Sequence, residues 1–197
     1  MLEFLTGTGL AISAGLNAYV PLLALGIAGR FLDGVDLPAG WAWLENPWAL
    51  GILGVLLVVE LVADKIPIVD HVNDWLQTLV RPTAGGIAFA SGATTSTTVV
   101  EDPGAFFSSN QWVPIALGAG LALVVHVTKA ASRPVINAAT VGTATPLVSA
   151  AEDVGSITMS VLALLAPLVI IIVAPLVAWL VWWVARAYFR RRRARRK

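Results

Sequence analysis

A chain of 197 residues that is 57% hydrophobic and 13% charged, with a mean hydropathy of +0.80, is too apolar for an ordinary soluble domain. It has room for at most about seven membrane crossings of about 20 residues each, and the absence of cysteine excludes disulfides, thiolate metal sites and cysteine nucleophiles. The formal charge of +1 conceals an acidic body with a basic end, because eight of the 13 Lys and Arg residues lie between Arg186 and Lys197.

The N-terminus carries Glu3 in place of a basic region, and its first apolar stretch contains Asn17 and Pro21. A retained first span over residues 4–29 is therefore predicted, and a cleaved signal peptide is not. An acidic loop with Asp33, Asp36 and Glu45 follows, and the next span runs from about Trp48 to Val62. Past Pro67, Asp70, Asn73, Asp74, Gln77, Thr78 and Arg81 share one helical face, while Ile68, Val69, Val72, Leu76, Leu79 and Val80 share the other. That amphipathic helix is predicted to lie at an interface or to line a cavity. Residues 83–100 are small and hydroxylated and would span only if packed closely inside a bundle. Residues 112–128 form a conventional span. Residues 134–150, with Asn137, Gly142, Thr143, Thr145 and Pro146, are predicted to cross or re-enter. Residues 154–185 contain no charge and form the strongest span, with kinks expected at Pro167 and Pro175.

The predicted fold is all-α: a polytopic membrane bundle of about six transmembrane helices plus an amphipathic or re-entrant helix. It forms one domain over residues 1–185 with a basic cytoplasmic tail at 186–197. With both termini inside, Lys65, Arg81, Lys129, Arg133 and the tail fall on the cytoplasmic side, and Arg30 is the one basic residue outside. The outer loops then collect Asp33, Asp36, Glu45, Glu101, Asp102, Glu152 and Asp153. A faint repeat relates Asn46-Pro-Trp48, Lys65 and Arg81-Pro82 to Asn110-Gln-Trp112, Lys129 and Arg133-Pro134.

The densest polar cluster is Glu60, Asp64, Lys65, Asp70, His71, Asp74, Thr78 and Arg81. Glu60 and Asp64 lie one helical turn apart, so their carboxylates repel unless a cation or a basic side chain lies between them, and Lys65 and Arg81 are the natural partners. Such a cluster is either a salt-bridge anchor or a site for a cation, a proton or an anionic headgroup. Asn17, in a narrow polar stripe with Thr6 and Ser13, is read first as an interhelical hydrogen-bonding group and second as a ligand. His126 and Lys129 share a face at the inner end of their span and form a candidate proton relay or phosphate contact. The terminal arginine run directly follows a span, so it is read as a topology anchor attracted to anionic lipid and not as a nucleic-acid tail. No cofactor or catalytic motif is present, and no cofactor is expected.

The string Gly15-Leu-Asn-Ala-Tyr-Val-Pro-Leu-Leu-Ala24, the string Glu60-Leu-Val-Ala-Asp-Lys-Ile-Pro-Ile-Val-Asp70 with Asp74, Thr78 and Arg81-Pro82, and the later Lys129-Ala, Arg133 and Ser149-Ala-Ala-Glu-Asp153 together resemble a bacterial membrane family known as domain of unknown function 4126. Around residues 134–148 the chain departs from the family's Asn-Pro form. The resemblance implies a multi-pass plasma-membrane protein whose motif residues include Asn17, Glu60, Asp64, Lys65, Pro67, Asp70, Asp74, Arg81, Lys129, Arg133, Glu152 and Asp153; it supplies no activity. Three functions fit. One is a small transporter or flippase-like permease for a cation, coupled to protons, or for a lipid phosphate. Another is a membrane-embedded enzyme in which Asp64, Asp70 and Asp74 hold a metal over a lipid headgroup. The third is a scaffold that transports nothing.

Overall fold

The computed structural model describes residues 1–93, 110–140 and 143–194, with backbone alone for residues 67–72, 74, 134–139, 180, 184–185 and 187–194. All regular structure among them is helical. In chain order the α-helices are α1 (Leu2–Leu16), α2 (Tyr19–Phe31), α3 (Pro47–Ala63), α4 (Pro67–Ala93), α5 (Trp112–Thr140), α6 (Thr145–Leu165) and α7 (Ile170–Ala194). Short 3-10 turns at Ala39–Glu45 and Pro167–Val169 precede α3 and α7.

The distribution of polarity is the reverse of a soluble protein's. Val55, Val58, Val59 and Val62 on α3 are each more than half exposed, whereas Glu60, Asp64 and Arg81 are at most 1% exposed. Exposed apolar residues continue on α5 (Leu117, Val124, Val127), α6 (Val154, Ile157, Val161) and α7 (Ile171, Ile172, Leu176). An apolar exterior around a charged interior is the arrangement that a hydrocarbon solvent selects. Two described helical segments, Trp112–Arg133 and Thr145–Leu165, are long and apolar enough to cross a membrane, and Ala39–Glu45 with Pro47–Ala63 makes a third if this pair, bent by 67°, is one span.

Several predicted spans are divided differently. The first is broken: α1 ends at Leu16, Asn17 is extended at φ −146° and ψ 124°, and α2 begins at Tyr19. Pro21 sits in the first turn of α2, where its missing N–H costs nothing. The amphipathic segment and the small-residue segment after it are a single 27-residue helix, α4, that passes through Pro82.

The segment 134–150 is neither a span nor a re-entrant element of its own. Its first part extends α5 to Thr140 and its last part opens α6 at Thr145. The uncharged stretch 154–185 is two helices, because Pro167 forces the residue before it out of the helical region, and Ala166 has φ −142° and ψ 59°. Pro175 stays inside α7. The repeat does not fold alike in its two halves, since α3 ends at Ala63 whereas α5 runs unbroken past Lys129 and Arg133.

Helix α4 packs most extensively against α5 and α1, and α1 also contacts α6, α7 and α2. The short α1 is therefore the centre of the bundle. Close approach is made by glycine: a Cβ on Gly85 of α4 would strike Ala122 and the backbone of Gly118 on α5, and a Cβ on Gly118 would strike the Gly85 carbonyl and Phe89. This seam, with Gly15 of α1 set against Val125 and Ala122 of α5, holds the polar ends of three helices within side-chain reach of one another.

Candidate functional site

The break at Asn17 supplies the frame of the site. The carbonyls in the last turn of a helix have no partner within it and carry partial negative charge. Two buried cations take those of α1: Arg81 Nη1 donates to the Gly15 carbonyl at 3.3 Å, and Lys129 Nζ donates to the Leu16 carbonyl at 3.0 Å. On the other side of the break Asn17 Oδ1 accepts from the backbone N–H groups of Tyr19 and Val20 at 3.1 and 3.3 Å and so caps α2. Its Nδ2 donates to Asp153 Oδ1 on α6 at 3.2 Å.

Around this frame the charges form one network. Arg81 Nη2 lies 2.8 Å from Glu60 Oε1 and 3.6 Å from Asp64 Oδ2. Asp64 Oδ2 also meets Lys129 Nζ at 3.2 Å and Arg133 Nη2 at 3.4 Å, while Oδ1 accepts from Asn73 Nδ2 at 2.7 Å. Glu152 Oε2 closes the ring, 3.0 Å from Lys129 Nζ and 2.8 Å from Arg133 Nη2. Arg81 Nη1 further reaches His126 Nδ1 at 3.2 Å, and Thr78 Oγ1 reaches His126 Nε2 at 3.1 Å. A guanidinium can only donate, so Nδ1 is the accepting nitrogen and His126 is a neutral imidazole with its proton on Nε2.

Nine of the twelve residues singled out from sequence converge here: Asn17, Glu60, Asp64, Arg81, His126, Lys129, Arg133, Glu152 and Asp153. Lys65 is peripheral, with its side chain 43% exposed, its Nζ bonded to the Leu61 carbonyl at 2.8 Å and 3.7 Å from Asp153 Oδ2. The side chains of Asp70 and Asp74 lie outside the described residues, as do Glu101, Asp102 and the end of the basic tail.

One expectation is overturned by the geometry. Glu152 and Asp153 were assigned to an outer loop, on the opposite side from Lys129 and Arg133. Ion pairs of 3.0 and 2.8 Å put Glu152 at the same level of the bundle as those cations, because 134–150 turns back instead of crossing.

Sequence reasoning met Ser149 only as part of a family string and did not single out Ser156 and Ser160; with Thr145 and Asp153 these serines make a buried polar stripe along α6. Their spacing of three, four or seven positions within an apolar helix was the available signal. Ser13 of α1 meets this stripe, 2.7 Å from both Ser156 Oγ and Ser160 Oγ.

Beside the network lies a cavity of about 330 Å³ between α1, α5, α6 and α7. Ile12, Leu16, Val125, Val177 and Val181 make its apolar walls, and Lys129 and Glu152 with Thr128 and Ser132 make its polar edge. Among the described residues no three His, Cys, Asp or Glu side chains are grouped to hold a metal ion.

Comparison with known proteins places this chain in a family. Residues 4–187 match the model of domain of unknown function 4126, and the chain belongs to that family. The search of curated proteins and the search of solved structures each gave no match.

Proposed function

We propose that this member of the family is a small permease or flippase-like protein of the plasma membrane whose substrate is a lipid phosphate. Lys129 and Arg133 receive the headgroup, and the adjoining cavity receives the apolar part. The observation that carries this reading is the junction of the two features: the same Lys129 and Glu152 that close the charge network also form the polar edge of an otherwise apolar cavity of about 330 Å³, a volume at the small end of ligand sites.

Glu152 is the exchangeable member of the network. Its side chain is 13% exposed, against 1% for Glu60 and Asp64. The carboxylate meets both Arg133 and Lys129 through Oε2, and a phosphate can offer each cation an oxygen of its own. Replacing one anion by the other leaves no buried cation unpaired at any stage, which avoids the main electrostatic penalty of moving charge through a bundle. The helical break at Asn17, with charged groups gathered at it, resembles the construction of membrane transport sites. The eight cations from Arg186 onward favour a cytoplasmic C-terminus and an anionic leaflet beside it.

Binding is tested with the purified chain in a non-ionic detergent. Short-chain phosphatidate should raise its thermal unfolding midpoint, phosphatidylcholine of the same chain length should not, and Lys129→Met should abolish the difference. Equal effects of the two lipids would contradict the reading.

A further inference from the structure

The buried charges do not balance, and the imbalance has an address. Among the described side chains of the network, Glu60, Asp64, Glu152 and Asp153 supply four negative charges. Arg81, Lys129 and Arg133, with side chains no more than 5% exposed, supply three positive ones, and His126 is neutral. The fourth cation, Lys65, follows α3 with a side chain 43% exposed and directs its ammonium back to the last turn of that helix, at 2.8 Å from the Leu61 carbonyl. Its Nζ lies 3.7 Å from Asp153 Oδ2, a loose, solvent-screened ion pair without a hydrogen bond.

The shortfall falls on Asp153 Oδ2. Asp153 is 7% exposed, and this oxygen has no hydrogen-bond partner among the described residues. One turn earlier on the same face of α6, Ser149 is 1% exposed, and its Oγ is likewise without a partner there. Two buried, unsatisfied oxygens on one helix face are uncommon, since nearly all such groups find partners. Glu60 Oε2 is also without a partner, but Glu60 and Asp64 each hold a buried cation within 3.2 Å, which Asp153 does not among the described residues.

We infer that Ser149 and Asp153 form a binding site for one monovalent alkali cation, such as sodium, beside the break between α1 and α2. Both donors are oxygens, the preference of hard cations. One positive charge completes the balance, and a divalent ion would exceed it by one. Asn17 orders the site from the break between α1 and α2 by holding Asp153 Oδ1 at 3.2 Å, which leaves Oδ2 free of that bond. Lys65 acts as a tethered competitor that withdraws to solvent when the ion binds. The binding site stands on its own geometry; its use as a coupling site rests on the transport reading above.

The test is thermal unfolding of the full chain, followed by tryptophan fluorescence, in sodium chloride and in choline chloride at equal ionic strength. Sodium should raise the midpoint saturably and choline should not. Ser149→Ala should weaken half-saturation several-fold, and Asp153→Asn should remove the response. Lys65→Gln should tighten it roughly two- to fivefold, as expected for loss of a weak, exposed competitor. Equal midpoints in the two salts for both the wild type and Lys65→Gln would overturn the site, and so would a sodium response that survives in Ser149→Ala and Asp153→Asn alike. The outcome is separable from the transport reading: lipid-phosphate movement with no sodium response removes this site alone, and a sodium response without such movement removes the transport reading alone.

Discussion

Asp64 and Lys129 stand 65 residues apart in the chain and 3.2 Å apart in the structure, at a point where α1 ends and four other helices meet. Among the described residues Asp64 is the hub of the network, since it contacts Arg81, Lys129 and Arg133 together. Asp64→Asn therefore removes the shared counter-charge of three buried cations. The expected loss is about 3–5 kcal/mol of stability, the usual cost of breaking a buried pair. Glu152→Gln should cost clearly less, since Lys129 and Arg133 keep Asp64. Denaturant unfolding in detergent micelles checks the order, and equal losses would remove the distinction between hub and exchangeable anion.

Asn17 contributes to folding through two backbone N–H groups and to the site through Asp153. Asn17→Ala should destabilise by about 1 kcal/mol for the lost cap. Asn17→Asp keeps a capping oxygen but sets a second carboxylate against Asp153, so it should be the more damaging change. Thermal melts of the two variants side by side decide the point.

The break at Asn17 also shows what was legible in the sequence and what was not. Glu60 and Asp64 on one face, and Arg81 returning to them after the turn before Pro67, followed from helical spacing alone. The break did not, because residues 4–29 are uniformly apolar enough to read as one span. The signal was nonetheless present: Asn favours the start of a helix and Pro its first turn, so Asn17 followed by Pro21 suits a new helix beginning between them. The error over Glu152 has a different origin. Small and polar residues at 134–150 suit both a tightly packed crossing and the ends of two helices joined by a turn, and composition does not separate the two. The contacts of Arg133 with both Asp64 and Glu152 do.

The glycine seam is the packing feature on which the site depends. Gly118→Val would push α5 away from the Gly85 carbonyl and Phe89 of α4 and so separate His126 from Arg81. Overpacking of this kind costs about 1–3 kcal/mol. The same substitution at Gly120, which has nothing within 4 Å of an added Cβ, should be close to neutral. Comparing the yield and midpoint of the two variants tests the seam directly.

Orientation is open to a reporter experiment. Helix α3 has 17 residues and is about 25 Å long, so Gly40 and Lys65 belong near opposite faces of the membrane. A reporter after Lys197 should read cytoplasmic, and one inserted at Gly40 should read external. A cytoplasmic signal at Gly40 would invert the charge assignment.

The central claim is that the Lys129, Arg133 and Glu152 corner passes a lipid phosphate, and movement between leaflets is its most direct measure. Purified protein is reconstituted into phosphatidylcholine vesicles that carry a trace of fluorescent phosphatidate, and a membrane-impermeant quencher reports the leaflet. The wild type should expose the inner-leaflet label many times faster than protein-free vesicles do. Lys129→Met and Arg133→Gln, recovered folded, should fall to the protein-free rate. Wild-type vesicles that exchange the label no faster than protein-free ones, or variants at both cations that exchange it as fast as the wild type, would contradict it.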